Sequence, residues 1–227
     1  MPHAPGSIGG YVSPAGVPYD PPAARKLLAD AGYSDPSRFI TVEILFNKDS
    51  GHDLIAQAIA KDWQENLGVP VALVQREIKV FRNDLKKQNY MVSRAGWYGD
   101  YGDPTTFLEL SRSTDGNNDR RYNNPEYDAL LDAANAEVDP AKRLKILERA
   151  EKMIVERDLP MIPIFHYSQI YLFNAHRMSG ISTHPRQEQN MYLVDMLDDP
   201  KGANRALAMP PRVRGSGRDL GGAVRQG

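Results

Sequence analysis

Two aspartates three positions apart, Asp100 and Asp103, sit among rings and glycines in the stretch RAGWYGDYGDPTTF, residues 94–107. Paired carboxylates beside aromatics suit glycoside hydrolysis, one as acid and the other as base or nucleophile. That chemistry needs a set distance between the carboxyl groups, which this spacing does not fix. The D-Y-G-D run equally suits an Asx turn, in which an Asp side chain bonds the backbone two residues on. A third chemistry is ligand holding. The preceding YMVSRAGW (90–97) reads as a strand, and ligands of open α/β sheets gather outside the carboxyl ends of strands. Gly96 lets another backbone approach, while Trp97 and Tyr98 offer broad apolar walls with a polar edge. The carboxylate of Asp100 could hold an ammonium group, and an open strand edge could take an extended peptide through main-chain hydrogen bonds. Residue type leaves Trp97 and Tyr98 equally readable as core packing.

Other chemistries find little footing. The chain has no cysteine, which excludes thiolate metal sites, disulfides and cysteine nucleophiles. His3, His52, His166, His176 and His184 show no H-x-x-x-H or H-E-x-x-H spacing, so no metal is expected. His166, in an apolar extended run, reads as a hydrogen-bonded core or pocket-wall residue. No nucleophile elbow, Walker loop or dinucleotide fingerprint is present, and GSIGG (6–10) follows no strand, so no cofactor is expected.

The elements that must position the 94–107 stretch follow from periodicity. In YDPPAARKLLADAGY, Asp20 reads as an N-cap, the prolines as the first turn, and Gly32 as the stop. Ala24, Leu27, Leu28 and Ala31 make its apolar stripe. FITVEILF (39–46) and VPVALVQR (69–76) read as strands. Residues 51–68 read as a helix with Leu54, Ile55, Ala58, Ile59 and Trp63 on one face, and 78–88 as a helix with Val80, Phe81 and Leu85 inward. The order α-β-α-β-α-β predicts an α/β sheet covered by helices. Helices follow at 125–136 and 140–158, the second capped by Asp139 and burying Leu144, Leu147, Ala150 and Ile154. Residues 159–173 read as extended and 191–196 as a further strand.

The 227 residues suffice for one large domain or two small ones. A charged fraction of 25% and a formal net charge of −1 fit a soluble globular protein with no field directed at nucleic acid. No apolar run approaches the roughly 20 residues of a membrane span. Residues 1–19 are rich in Pro and Gly and read as a connector, without the basic and apolar regions of a signal peptide. This composition, with proline at position 2, points to Met1 as an internal start in a longer protein. Residues 201–227 read as a disordered, mildly basic tail.

Three pieces in order resemble the C-terminal half of the solute-binding proteins of oligopeptide and dipeptide ABC importers. They are YDPPAARKLLADAGY, RAGWYGDYGDPTTFLELSRS, and RYNNPEYDALLDAANAEVDPAKRLKILERAEKMIVERDLPMIPIFHY. The resemblance covers about residues 11–197. It implies the type II periplasmic binding protein fold, of which this chain would be one α/β lobe of an incomplete clamshell. Residues 20–167 would form most of that lobe, and 168–200 would cross a hinge and add strands to the other. Asp100 would hold a peptide's α-ammonium. Gly96, Trp97 and Tyr98 would pair with the ligand backbone and begin its side-chain pockets. Arg94 would contact ligand or a neighbouring carboxylate, and Tyr167 would face the ligand at the hinge. Asp103, beside Pro104, would cap the helix that follows. A non-enzymatic, monomeric, exported parent would deliver peptide to a membrane permease. Relatives that bind nickel chelates, haem, sugars or opines keep other solutes open, and a glycoside or ester hydrolase using Asp100 and Asp103 stands as the alternative from another class.

Overall fold

The computed structural model describes residues 8, 10–49, 51–167, 170, 172–182 and 189–197. The chain divides after Ser168 into two units. In the first, helix α1 (Pro21–Asp30) starts as its sequence dictates, with the Asp20 carboxylate accepting the Ala23 N–H at 3.0 Å. It ends at Gly32, whose φ of 93° lets the Gly32 and Tyr33 N–H groups close on the Ala29 and Leu28 carbonyls. The expected buried stripe does not form. Ala24 and Leu28 are half-buried, Ala31 is exposed and Leu27 is 70% exposed, because α1 packs chiefly on α2 (His52–Leu67).

Strands β1 (Val42–Asn47), β2 (Val71–Arg76) and β3 (Val92–Ser93) make a parallel sheet in the order β2-β1-β3. Val42 pairs with Val71, and Ile44 with Val92. The central strand is buried at every position except Glu43, as expected of a strand covered on both faces. Ile44 and Phe46 pack on Ala56, with Ile59, Trp63, Val71 and Val92 around them. Helix α2 thus turns His52, Ala56 and Ala60 inward, while Leu54 and Ala58 face solvent, contrary to expectation. Helix α3 (Ile78–Lys87) buries Phe81 and half-buries Leu85, but Val80 lies outside. The third strand is shorter than its sequence suggests. Beyond Ser93 only the Arg94 N–H continues the ladder, to the Leu45 carbonyl at 2.8 Å.

Helices α4 (Thr105–Leu108), α5 (Pro125–Ala136) and α6 (Pro140–Lys152) form a second core within this unit. Leu108, Tyr127, Leu131, Leu147, Ala150 and Ile154 are wholly buried there, with Leu144 packed at the margin. Asn124 and Asp139 cap α5 and α6, each ahead of a proline in the first turn. Helix α6 runs on into a π-helical turn, Met153–Arg157, and the chain leaves it through Leu159 at a positive φ of 49°, just before Pro160.

The segment expected as a mere connector is fastened at several points. Ile8 and Tyr11 enter the helical core. The Tyr11 hydroxyl donates to Glu151 at 2.6 Å, and both residues are buried. The Gly16 N–H reaches Glu156 at 3.3 Å, and the Tyr19 hydroxyl donates to Asp62 of α2 at 2.7 Å. One strap therefore enters the helical core and is tied further on to the outer side of α2.

The second unit holds an antiparallel pair, β4 (Met178–Ser179) and β5 (Asp195–Met196). Of the strand expected at 191–196, Met191–Leu193 form a 3₁₀ turn instead. Gly180 is obligatory here: its φ is 76°, and an added Cβ would lie 1.7 Å from the Leu193 carbonyl oxygen. The expected tail, 201–227, lies outside the described residues, as do His3 and His184. Among the described residues no helix is long and apolar enough to cross a membrane.

Candidate functional site

The stretch that follows β3 runs past the carboxyl end of the sheet. Its three glycines do three different things. Gly96 lies beneath the Arg94 guanidinium, so that a Cβ there would sit 3.0 Å from Nη2. Gly99 presses on α4, where a Cβ would meet Thr106 Cγ2 at 3.2 Å and the Phe107 ring at 3.3 Å. Gly102 faces open space. The first two are therefore close-approach positions, and the third is not.

The aromatics do not enter either core. Trp97 is 36% exposed and Tyr98 62% exposed, and neither belongs to a buried cluster. Tyr98 stacks on Tyr167 with ring centroids 5.7 Å apart, and Phe165 meets Tyr167 edge-on at 4.9 Å. Arg94 Nη2 donates to the Tyr167 hydroxyl at 2.8 Å. Arg94, Tyr98 and Tyr167 thus form one layer, with Gly96 under the guanidinium. Arg94 was expected to meet ligand or a carboxylate, and in this structure it meets a phenol. The core-packing alternative does not fit rings this exposed.

The two aspartates have opposite surroundings. Asp100 is exposed, and its carboxylate has no side-chain partner among the described residues. Its backbone N–H is held by Thr106 Oγ1 at 2.9 Å. Asp103 is fully engaged. Oδ1 accepts the Thr105 N–H at 3.0 Å and the Thr105 hydroxyl at 2.6 Å. Arg143 of α6 grips both of its oxygens, at 2.7 and 2.9 Å. Burial acts to raise the Asp103 pKa, but the hydrogen bonds from Arg143 and Thr105 and the guanidinium charge outweigh it and hold the pKa at about 2. Such a group carries no proton near neutrality. It anchors the start of α4 to α6, although the cap position itself is Pro104 and not the expected Asp103, and it is unfit as the general acid that a glycosidase pair requires.

This carboxyl also sets an acid limit. Its folded pKa lies below the ordinary 3.8, so its stabilisation is complete above about pH 4 and is lost as pH falls towards 2. Allowing for partial exposure, it is worth about 1 kcal/mol. Urea melts at pH 5 and pH 2.5 should show Arg143→Gln less stable at the higher pH and closer to wild type at the lower one. An equal deficit at both pH values would refute the pairing.

Sequence reasoning missed Thr105, Thr106 and Arg143. Arg143 lies 40 residues from Asp103, and no local pattern links them. It also missed His52, the buried first residue of α2, whose Nδ1 is 3.1 Å from Asn47 Oδ1 at the end of β1. A histidine opening a helix just after a strand end was the available signal. His166, expected in a core or pocket wall, is exposed. No group of metal-ligating side chains occurs among the described residues.

Residues 1–119 match the family described as bacterial extracellular solute-binding proteins, family 5 Middle. The oligopeptide-binding protein OppA of Bacillus subtilis is 38% identical over 149 residues, covering 65% of this chain and 27% of its own length. The periplasmic murein peptide-binding protein MppA of Escherichia coli is 39% identical over 145 residues, 64% of this chain and 27% of its own. The crystal structure of the periplasmic oligopeptide-binding protein OppAIV of Borrelia burgdorferi superposes with a TM-score of 0.74 at 32% identity, covering 86% of this chain and 39% of that one. The unliganded, open form of MppA gives the same TM-score and coverage at 30% identity. The chain spans about a quarter of the length of these curated relatives, which are named as peptide-binding proteins. The fold is that of the type II periplasmic binding proteins, met here in part. With its family model matched and its fold shared, the chain belongs to family 5 of the bacterial extracellular solute-binding proteins.

Proposed function

We propose that the chain is the C-terminal part of an extracytoplasmic substrate-binding protein that serves a peptide ABC importer, and that it supplies one wall of a cleft for extended peptides. The observation that carries this is the contrast between the aspartates: Asp103 is consumed by Arg143 and Thr105, while Asp100 is left exposed in the turn beyond β3, just after the exposed Trp97 and Tyr98. A carboxylate so placed is available to a peptide's ammonium, Gly96–Tyr98 to its backbone and side chains, and Arg94 and Tyr167 to its flank. The division of the chain after Ser168 supports the reading that residues 168–197 cross to a second lobe. The parent acts as a monomer, in the periplasm or at the cell surface, and hands ligand to a membrane permease. Closure of the second lobe dries the site, and a charge-assisted contact becomes strong only when dry.

A single wall leaves Asp100 wet. Calorimetry with short peptides is therefore expected to show no micromolar binding by residues 1–227, and micromolar or tighter binding would refute the half-site. The function itself is tested by replacing the matching segment of E. coli MppA with this chain. The chimera should bind peptide, and a folded chimera that binds none counts against the reading. A second reading keeps the site and changes the solute. Two relatives are named as a probable deoxycholate-binding protein (32% identical) and a haem-binding protein (35% identical). The exposed Trp97, Phe165 and Tyr167 rings would suit the broad apolar faces of such ligands. A chimera that prefers deoxycholate or haem to peptide selects it.

A further inference from the structure

Asp100 lies in a turn exposed to solvent, yet its backbone is tied down from below. Its N–H donates to Thr106 Oγ1 at 2.9 Å, and Thr106 is buried in the first turn of α4. The Thr106 N–H bonds the Asp103 carbonyl at 3.1 Å. The Asp103 carboxylate holds Thr105 through two bonds and is itself clamped by both terminal nitrogens of Arg143. Gly99, just before Asp100, fits so closely against Thr106 and Phe107 that a Cβ there would make them give by a few tenths of an ångström. Residues 99–106 are thus a closed loop of contacts, sewn to α6 at one point and to Asp100 at another.

We propose that Thr106 and Arg143 are positioning residues for ligand binding: neither touches ligand, and together they fix where the Asp100 carboxylate stands. This rests on the reading of Asp100 as the ammonium anchor. A carboxylate on a free turn would have to be ordered as the ligand binds, and that ordering costs affinity; a turn already fastened avoids the cost. A bidentate Arg–carboxylate pair sets orientation as well as distance, so lysine at 143 is not an equivalent replacement. The arrangement also explains why two aspartates stand so close with such different fates. One is spent holding the turn, and the other is presented by it.

The test is amide hydrogen exchange on residues 1–227, read residue by residue by NMR. In Thr106→Val the Asp100 amide should exchange about 5–10-fold faster, the loss of one hydrogen bond. Amides of β1 and α2, such as Leu45 and Ala60, should keep their rates. Thr106→Ser, which restores the acceptor, should restore protection at Asp100. Arg143→Gln should speed exchange at Asp100 and Thr105 together, and Arg143→Lys should recover only part of it. Should Thr106→Val not fold, Thr106→Ser and the two Arg143 variants still decide. The proposal falls if Asp100 exchanges at the wild-type rate in Thr106→Val or in Arg143→Gln, or if β1 and α2 lose protection by the same factor. No peptide enters the measurement, so its failure is distinct from failure of the peptide reading, which the chimera tests.

Discussion

Asp100→Asn is expected to weaken peptide binding by roughly two orders of magnitude in the MppA chimera that carries this chain. Truncating one partner of a desolvated, hydrogen-bonded charge pair costs about 2–5 kcal/mol, much of it the penalty of leaving the other charge buried and unpaired. Asparagine keeps the size and the backbone N–H that bonds Thr106 Oγ1, so the turn should stay in place while the charge is lost. The effect should disappear with an N-acetylated peptide, which offers no ammonium. Calorimetry on both peptides measures it. A loss of less than threefold with the free peptide, or an equal loss with the blocked one, would remove Asp100 as the anchor. Asp103→Asn makes the informative contrast. It weakens the grip of Arg143 and the hold on Thr105, so it should lower stability as well as affinity, whereas Asp100→Asn should leave the urea midpoint where it was.

Tyr11→Ala is expected to destabilise the first unit by about 3–5 kcal/mol, the usual cost of emptying a large buried aromatic site. Tyr11 is 1% exposed, packs with Ile8 and the α5–α6 core, and donates to a Glu151 that is fully buried. Burial, and then the charge of Glu151, push the Tyr11 pKa well above its ordinary value, so the phenol keeps its proton and stays a donor. Tyr11→Phe retains the ring and removes only the donor. It should cost about 1–3 kcal/mol, the price of a buried carboxylate short of one hydrogen bond. Denaturant melts give both numbers. A Tyr11→Ala midpoint within error of wild type would mean that the strap is not seated as described.

The α/β order of the first unit was legible because its signals are local. Asp20, Asp139 and Gly32 act within one helical turn of where they stand, and each does what its type dictates. Faces were less legible. The apolar residues of α1 and α2 gave a stripe, but which side meets the sheet depends on how near the helix lies. Here α2 approaches through Ala56 and Ala60 and leaves Leu54 in water. The site divides in the same way. Composition put two carboxylates and two rings after a strand, and spacing allowed the Asx-type contact that Asp103 makes with the Thr105 N–H. What separates Asp100 from Asp103 is Arg143, 40 residues on, and what exposes Trp97 and Tyr98 is the early end of β3. Neither is written in the stretch itself.

The strap has a consequence for the order of events during synthesis. Tyr11 waits for a partner 140 residues further along the chain. At ordinary ribosomal speeds that interval is roughly 10–30 seconds. Throughout it, Ile8 and Tyr11 have no complete core to enter, since α6 is not yet finished. The sheet half, from β1 to β3, needs nothing beyond Arg94 to assemble and has a head start. An early, sheet-first intermediate with an unseated strap is therefore built into the connectivity, and that strap is where a chaperone or a protease would find the nascent chain open.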